Sequence, residues 1–168
     1  YSCLNEFFTR GLGQGRQTLP ARPGHLVSPV DGVLQDMGHL SGDDVFVVKK
    51  QEIDVAGLCG DDFGEEAERF RDGTYALIYL SPRHYHRVHV PIDAELTGYR
   101  YIPGSLFPVN ELGMKHVPGM FLRNERVVFF FETAYGAMVL VMVGASFVGR
   151  MTLAHDDFVT NETLRKVA

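Results

Sequence analysis

The residues best suited to chemistry lie together in Ser81-Pro82-Arg83-His84-Tyr85-His86-Arg87-Val88-His89-Val90-Pro91, which holds two arginines and three of the seven histidines and no carboxylate. Imidazoles titrate near neutrality and can both take and give protons, while guanidinium groups pair with carboxylate or phosphate oxygens. The cluster therefore suits acid–base work on an anionic substrate. Pro82 and Pro91 each remove a backbone donor, and Val88 and Val90 favour extension, so an extended segment is expected rather than a helix. Side chains alternate along such a segment, with Arg87 and His89 on one side and His86, Val88 and Val90 on the other. Unless a bulge intervenes, His86 and His89 have different tasks.

The elements that position this stretch can be read around it. A strand over 74–80 leads directly into it, giving a charged loop a rigid approach. Upstream, Val27-Ser28-Pro29-Val30-Asp31-Gly32-Val33-Leu34 places a turn-forming Asp-Gly pair between apolar residues. Taken alone, Asp31 reads as a turn aspartate bonding its own backbone. Strands are expected over 33–40 and 45–50, joined by a polar loop at 41–44, and further strands over 95–102, 128–132 and 138–143. Ser2 is placed to cap a short helix over 4–8, and two more helices are expected over 52–58 and 63–70. Glu65, Glu66 and Glu68 read as a solvated face. These elements make residues 1–168 a single, mainly β (α+β) domain with a barrel- or sandwich-like core and two or three short peripheral helices.

Composition narrows the function. A chain of 168 residues with 45% apolar and 22% charged side chains is globular, and a net charge of -5 excludes broad nucleic-acid binding. Cys3 and Cys59 lack metal-like spacing and are expected to be free thiols. No apolar run approaches the ~18 residues of a spanning helix, and no signal peptide is evident; Phe7 and Phe8 are expected to pack on the core, with a membrane-surface role as the alternative that leaves peripheral attachment open. The start at Tyr1 and the finish at Ala168 suggest a fragment or one processed chain.

Five stretches then point the same way. Tyr85-His86-Arg87-Val88-His89-Val90-Pro91 resembles the histidine signature of phosphatidylserine decarboxylases, the pyruvoyl enzymes that make phosphatidylethanolamine. Leu4-Asn5-Glu6-Phe7-Phe8-Thr9-Arg10 resembles that family's entry motif, and Pro29-Val30-Asp31-Gly32 its Pro-x-Asp-Gly turn. Asn124-Glu125-Arg126-Val127 and Val143-Gly144-Ala145-Ser146-Phe147-Val148-Gly149 are likewise similar to family segments. Pro103 to Asn110 matches less closely, with Ser105 where aspartate is frequent and Pro108 where serine is frequent.

The resemblance implies a lyase that is made as a zymogen, cleaves itself, and belongs to phospholipid biosynthesis. Decarboxylation needs an electron sink for the carbanion left behind, and family members make one, a covalent pyruvoyl group, from their own serine. On the motif match, His89 is the base that activates this serine and Asp31 orients His89. His86 is the acid that protonates the substrate carbon, and Arg83 and Arg87 bind the carboxylate or phosphate of the head group. The serine of the family lies in a C-terminal Leu-Gly-Ser segment, which this chain lacks: Ser105 belongs to the earlier loop and Ser146 is expected within a strand, so the domain is incomplete and inactive by itself. The implied partners are phosphatidylserine, the C-terminal pyruvoyl-bearing chain of the same proenzyme, and a membrane surface on the cytoplasmic side, in bacteria the inner membrane. A homo-oligomer is compatible with all of this. Two alternatives stand beside it: an inactive paralogue retained as a lipid- or partner-binding module, and a cupin-like metal centre at His84, His86 and His89 with Glu95 or His116.

Overall fold

A computed structural model describes residues 1–13, 22–40, 45–48, 51–60 and 63–161. Among them seven strands alternate with five short helices: α1 (Leu4–Phe8), β1 (Val33–His39), β2 (Val45–Val48), β3 (Gln51–Asp54), α2 (Val55–Cys59), α3 (Gly64–Ala67), β4 (Thr74–Tyr79), β5 (Ala94–Ile102), α4 (Glu111–His116), α5 (Met120–Arg123), β6 (Arg126–Thr133) and β7 (Gly136–Val143). The strands form three antiparallel sheets, β1-β4, β2-β3 and β5-β6-β7. The mainly β expectation holds.

β6 is the spine because its sequence is apolar on both faces. Alternation turns Val128 and Phe130 toward a cluster that contains Leu40, Val55, Cys59 and Phe63. The odd-numbered Val127, Phe129 and Phe131 face the other way, onto Met151. A strand buried on both sides reads as a continuous hydrophobic run rather than an alternating one, as Val-Val-Phe-Phe-Phe does. Fully burying each such side chain contributes roughly 1.5–3 kcal/mol. A third cluster packs Val48 and Ile53 of the β2-β3 hairpin against Met120 and Phe121 of α5.

Arg126, only 4% exposed, ties these layers together. Its guanidinium donates to the carbonyls of Gly57 (2.8 Å), Leu58 (2.7 Å), Leu122 (2.7 Å) and Asn124 (3.0 Å). Those carbonyls belong to the last turns of α2 and α5, where a helix has no partners of its own to offer. Cys59 beside it is buried and free, and burial raises its thiol pKa to about 12, so it is an unreactive packing residue; Cys3 is free and exposed.

Four local expectations are corrected. The helix expected over 52–58 is a strand followed by a helix: Glu52 and Asp54 point out, Ile53 points in, and the Asp54 carboxylate then caps α2 by accepting from the N–H groups of Ala56 and Gly57. The strands flanking 41–44 do not pair with each other, since β1 pairs with β4 and β2 with β3; residues 41–44, 49 and 50 lie outside the described residues. Cys3, not Ser2, is the N-cap of α1. Ser2 instead donates through both its N–H and Oγ to the Glu6 carboxylate. Finally, Ser146 occupies a turn, not a strand.

Candidate active site

β4 delivers the chain to Ser81, where the expected extended stretch begins with a tight turn. The N–H of His84 donates to the Ser81 carbonyl (2.8 Å), with Pro82 at the second position, which its fixed φ suits. The His84 ring closes the same turn by accepting from the Ser81 N–H at Nδ1 (3.2 Å). His84 is thus engaged in shaping the loop. Among the described residues no group of three or more His, Cys, Asp or Glu side chains could hold a metal ion.

Beyond the turn, residues 89–91 run beside residues 27–29. Val27 donates to the Pro91 carbonyl and His89 donates to the Pro29 carbonyl, each at 2.9 Å. In an antiparallel pair each of these bonds would be reciprocated. Here the two missing donors are Pro29 and Pro91, which have no N–H. The result is a half-ladder that holds the two segments in register without forming a regular strand. It carries Asp31 along the flank of the histidine segment, two residues past the Pro29 carbonyl that fixes His89.

Gly32 is required by this approach. A Cβ there would lie 2.4 Å from Cγ2 of Ile78 and 2.9 Å from the Tyr79 carbonyl, so a side chain would push the Asp31 turn off β4. The Asp31 carboxylate itself is exposed and accepts no hydrogen bond among the described residues. The half-ladder therefore sets Pro29 opposite the His89 backbone, with Asp31 two residues further along, and the side chains of Asp31 and His89 are not joined.

His89 is held by a neighbour that sequence reasoning passed over. Tyr85, buried at 9% exposure, places its hydroxyl 3.0 Å from His89 Nε2, and the two rings lie within 12° of parallel. When the hydroxyl donates, the neutral imidazole carries its proton at Nδ1, the nitrogen that an orienting carboxylate addresses. The signal was available in the i, i+4 spacing of Tyr85 and His89 within one charged stretch.

His86 occupies a different environment. Its Nδ1 lies 2.9 Å from the His84 carbonyl, which can only accept, so the proton sits at Nδ1 and the lone pair at Nε2. That Nε2 is buried and has no partner among the described residues. Phe8 of α1 covers the ring, with centroids 4.4 Å apart. Burial holds the His86 pKa below its ordinary value of 6.5, and the nearby Arg10 charge pushes the same way, against the hydrogen bond to His84. The unfolded chain thus binds this proton more readily than the folded one. Stability is lost as pH falls below 6.5 toward the lowered folded value. Replacing Phe8 by alanine is expected to raise the His86 pKa toward 6.5, read by NMR titration of the imidazole; an unchanged pKa would show that Phe8 does not shield it.

The arginines divide. Arg87 donates from Nε and Nη2 to the Thr9 carbonyl (3.0 and 2.8 Å), closing the C-terminal end of α1. Arg10 donates to the carbonyls of Phe7 and Arg83, so α1 is fastened across the histidine segment at both guanidinium groups. The Arg83 side chain is exposed, with no partner among the described residues. Phe7 and Phe8 are half-buried in this cover rather than in the core. Two clefts of about 450 and 440 Å³ lie elsewhere, both lined by Arg100, and neither includes any residue of 81–91.

With that geometry in place, comparison with known proteins is informative. Residues 4–166 match the family model described as phosphatidylserine decarboxylase. Curated relatives named phosphatidylserine decarboxylase proenzyme include one from Shewanella woodyi, 42% identical over 167 residues, covering 99% of this chain and 58% of that protein. Another, from Marinobacter nauticus, is 46% identical over 149 residues, covering 89% and 52%. A third, from Acinetobacter baylyi, is 42% identical over 171 residues, covering 94% and 59%. This chain therefore spans a little over half the length of these relatives.

Proposed function

The chain belongs to the phosphatidylserine decarboxylase family, and from that premise we propose that the full-length protein converts phosphatidylserine to phosphatidylethanolamine and carbon dioxide. In this reading residues 1–168 are the larger part of one incomplete domain. They supply the aspartate and histidine of the self-cleavage site and are inactive without the serine-bearing remainder. The observation that supports the reading is the half-ladder that fixes the His89 backbone opposite Pro29, two residues before Asp31.

His89 accepts the serine proton, and Asp31 turns toward Nδ1 to steady the imidazolium that results. Tyr85 must yield Nε2 to the incoming hydroxyl or share it. A pyruvoyl group made from that serine would supply the electron sink for the pair left on the substrate carbon when carbon dioxide departs. The unpartnered Nε2 of His86 suits the neighbourhood of such a group: a sheltered lone pair that can take up a proton and return it to carbon. Arg83, with an unengaged side chain, is the better placed of the two arginines for the head-group phosphate or carboxylate, since Arg87 is held at Thr9.

No helix among the described residues is long and apolar enough to cross a membrane. Peripheral attachment at the cytoplasmic face is proposed through α1 and the residues before it, where Leu4 and Tyr1 are 64% and 80% exposed next to the cover over His86. The test of the activity is the intact mass of the full-length gene product, with a carbonyl assay on any smaller fragment. Two chains, the smaller blocked by a pyruvoyl group, are expected. A single uncut chain without a carbonyl would overturn the reading and leave a binding module in its place.

A further inference from the structure

β1 is exposed where a strand of its composition would be covered. It pairs only with β4, so its second edge has no ladder partner among the described residues. Residues paired across the two strands share a face, and the register Leu34↔Ile78, Met37↔Ala76 defines an outer face that is apolar at these four positions and ends at the polar pair His39↔Thr74. Leu34 is 52% exposed and Met37 66%. The opposite face is occupied, since Tyr75 stacks on Phe46 and Leu77 packs in the cluster around Met120. Two-stranded sheets are at best marginal in water, and an open apolar strand edge invites a further strand.

We infer that this face and the free edge of β1 seat the part of the full-length protein that lies beyond residue 168. Two observations select that occupant. Family relatives have about two-fifths of their length outside the matched region, which is enough chain to supply a covering strand. The apolar strip begins at Leu34, three residues after Asp31, and Gly32 packs directly on Ile78, so whatever covers the strip ends beside the half-ladder. Strand addition here would bring the remainder of the protein to His89 by backbone pairing, with Leu34 and Met37 setting its register.

That the seated segment bears the reacting serine rests on the function proposed above; the seating itself does not. The test places the photo-crosslinking residue p-benzoylphenylalanine at position 37 of the full-length protein, with a control at Tyr135 in the β6–β7 turn, 71% exposed. After irradiation the linked peptides are identified by mass spectrometry, with and without phosphatidylserine-containing vesicles. Position 37 is expected to link within the same molecule to a peptide beyond residue 168, at every protein concentration, and the control is expected to lose that link. Linkage only to lipid, only to residues 1–168 of a second copy, or to nothing would overturn the inference. An uncut protein that still forms the link defeats the proposed activity and leaves the seat standing. A cut protein without the link does the reverse.

Discussion

In the full-length protein, His89→Ala is expected to leave one uncut chain on a denaturing gel, whereas His86→Ala yields two chains and turnover lowered by roughly a hundredfold to ten-thousandfold. The contrast follows from the two environments. His89 is tied by its own N–H to Pro29, two residues before Asp31, and by its ring to Tyr85. His86 is turned under Phe8 with its lone pair unpartnered. Neither side chain can stand in for the other, because their rings are held by different partners. Asp31→Asn should slow cutting by on the order of 10⁴-fold, the loss typical when an orienting carboxylate is removed from a triad. Time courses of chain cutting after denaturant removal, and decarboxylation rates measured on the material that has cut, separate the two steps. Normal cutting in His89→Ala would remove it as the base, and an unimpaired rate in His86→Ala would remove that residue from turnover.

How far the sequence revealed this arrangement depended on whether each signal was local. β6 was legible because three consecutive phenylalanines after two valines suit a strand covered on both faces. The strand-then-helix at 51–59 was misread because Glu52, Ile53, Asp54 and Val55 alternate for too few residues to show their period, although Asp54 followed by a run of small apolar residues is a cap signal in retrospect. α4 and α5, six and four residues long, are too short for helical periodicity to emerge, and they form because Asn110 caps the first and Arg126 closes the second. In the site, the histidines and Asp31 could be named from their motifs. The cover over His86 could not, since Arg87 meets Thr9 across 78 residues and no local pattern encodes that contact.

The largest stability effect is expected at Asn124, which is wholly buried and joins two loops that have no regular structure. Its Oδ1 accepts from the Phe107 N–H, while Nδ2 donates to the carbonyls of Phe107 and Gly144, all at 2.9 Å. Every polar atom of the side chain therefore has a backbone partner, and the shape of aspartate is nearly the same. Asn124→Asp preserves the packing but turns the Nδ2 position into an acceptor facing two carbonyls. Burying that mismatch should cost about 3–5 kcal/mol, more than the few kcal/mol left by simple deletion in Asn124→Ala, because a charged group is stranded rather than removed. The sign of the pH dependence distinguishes the two variants. A carboxyl group opposed by carbonyls is held above its unfolded pKa, and its protonated form can still donate one of the lost bonds. The deficit of Asn124→Asp should therefore be smallest below about pH 4, the unfolded aspartate range, and grow as pH rises toward neutrality. The deficit of Asn124→Ala should be flat. Urea denaturation of both variants of the full-length protein across that range checks the argument, and a pH-independent aspartate deficit would mean that water reaches the site and relieves the mismatch.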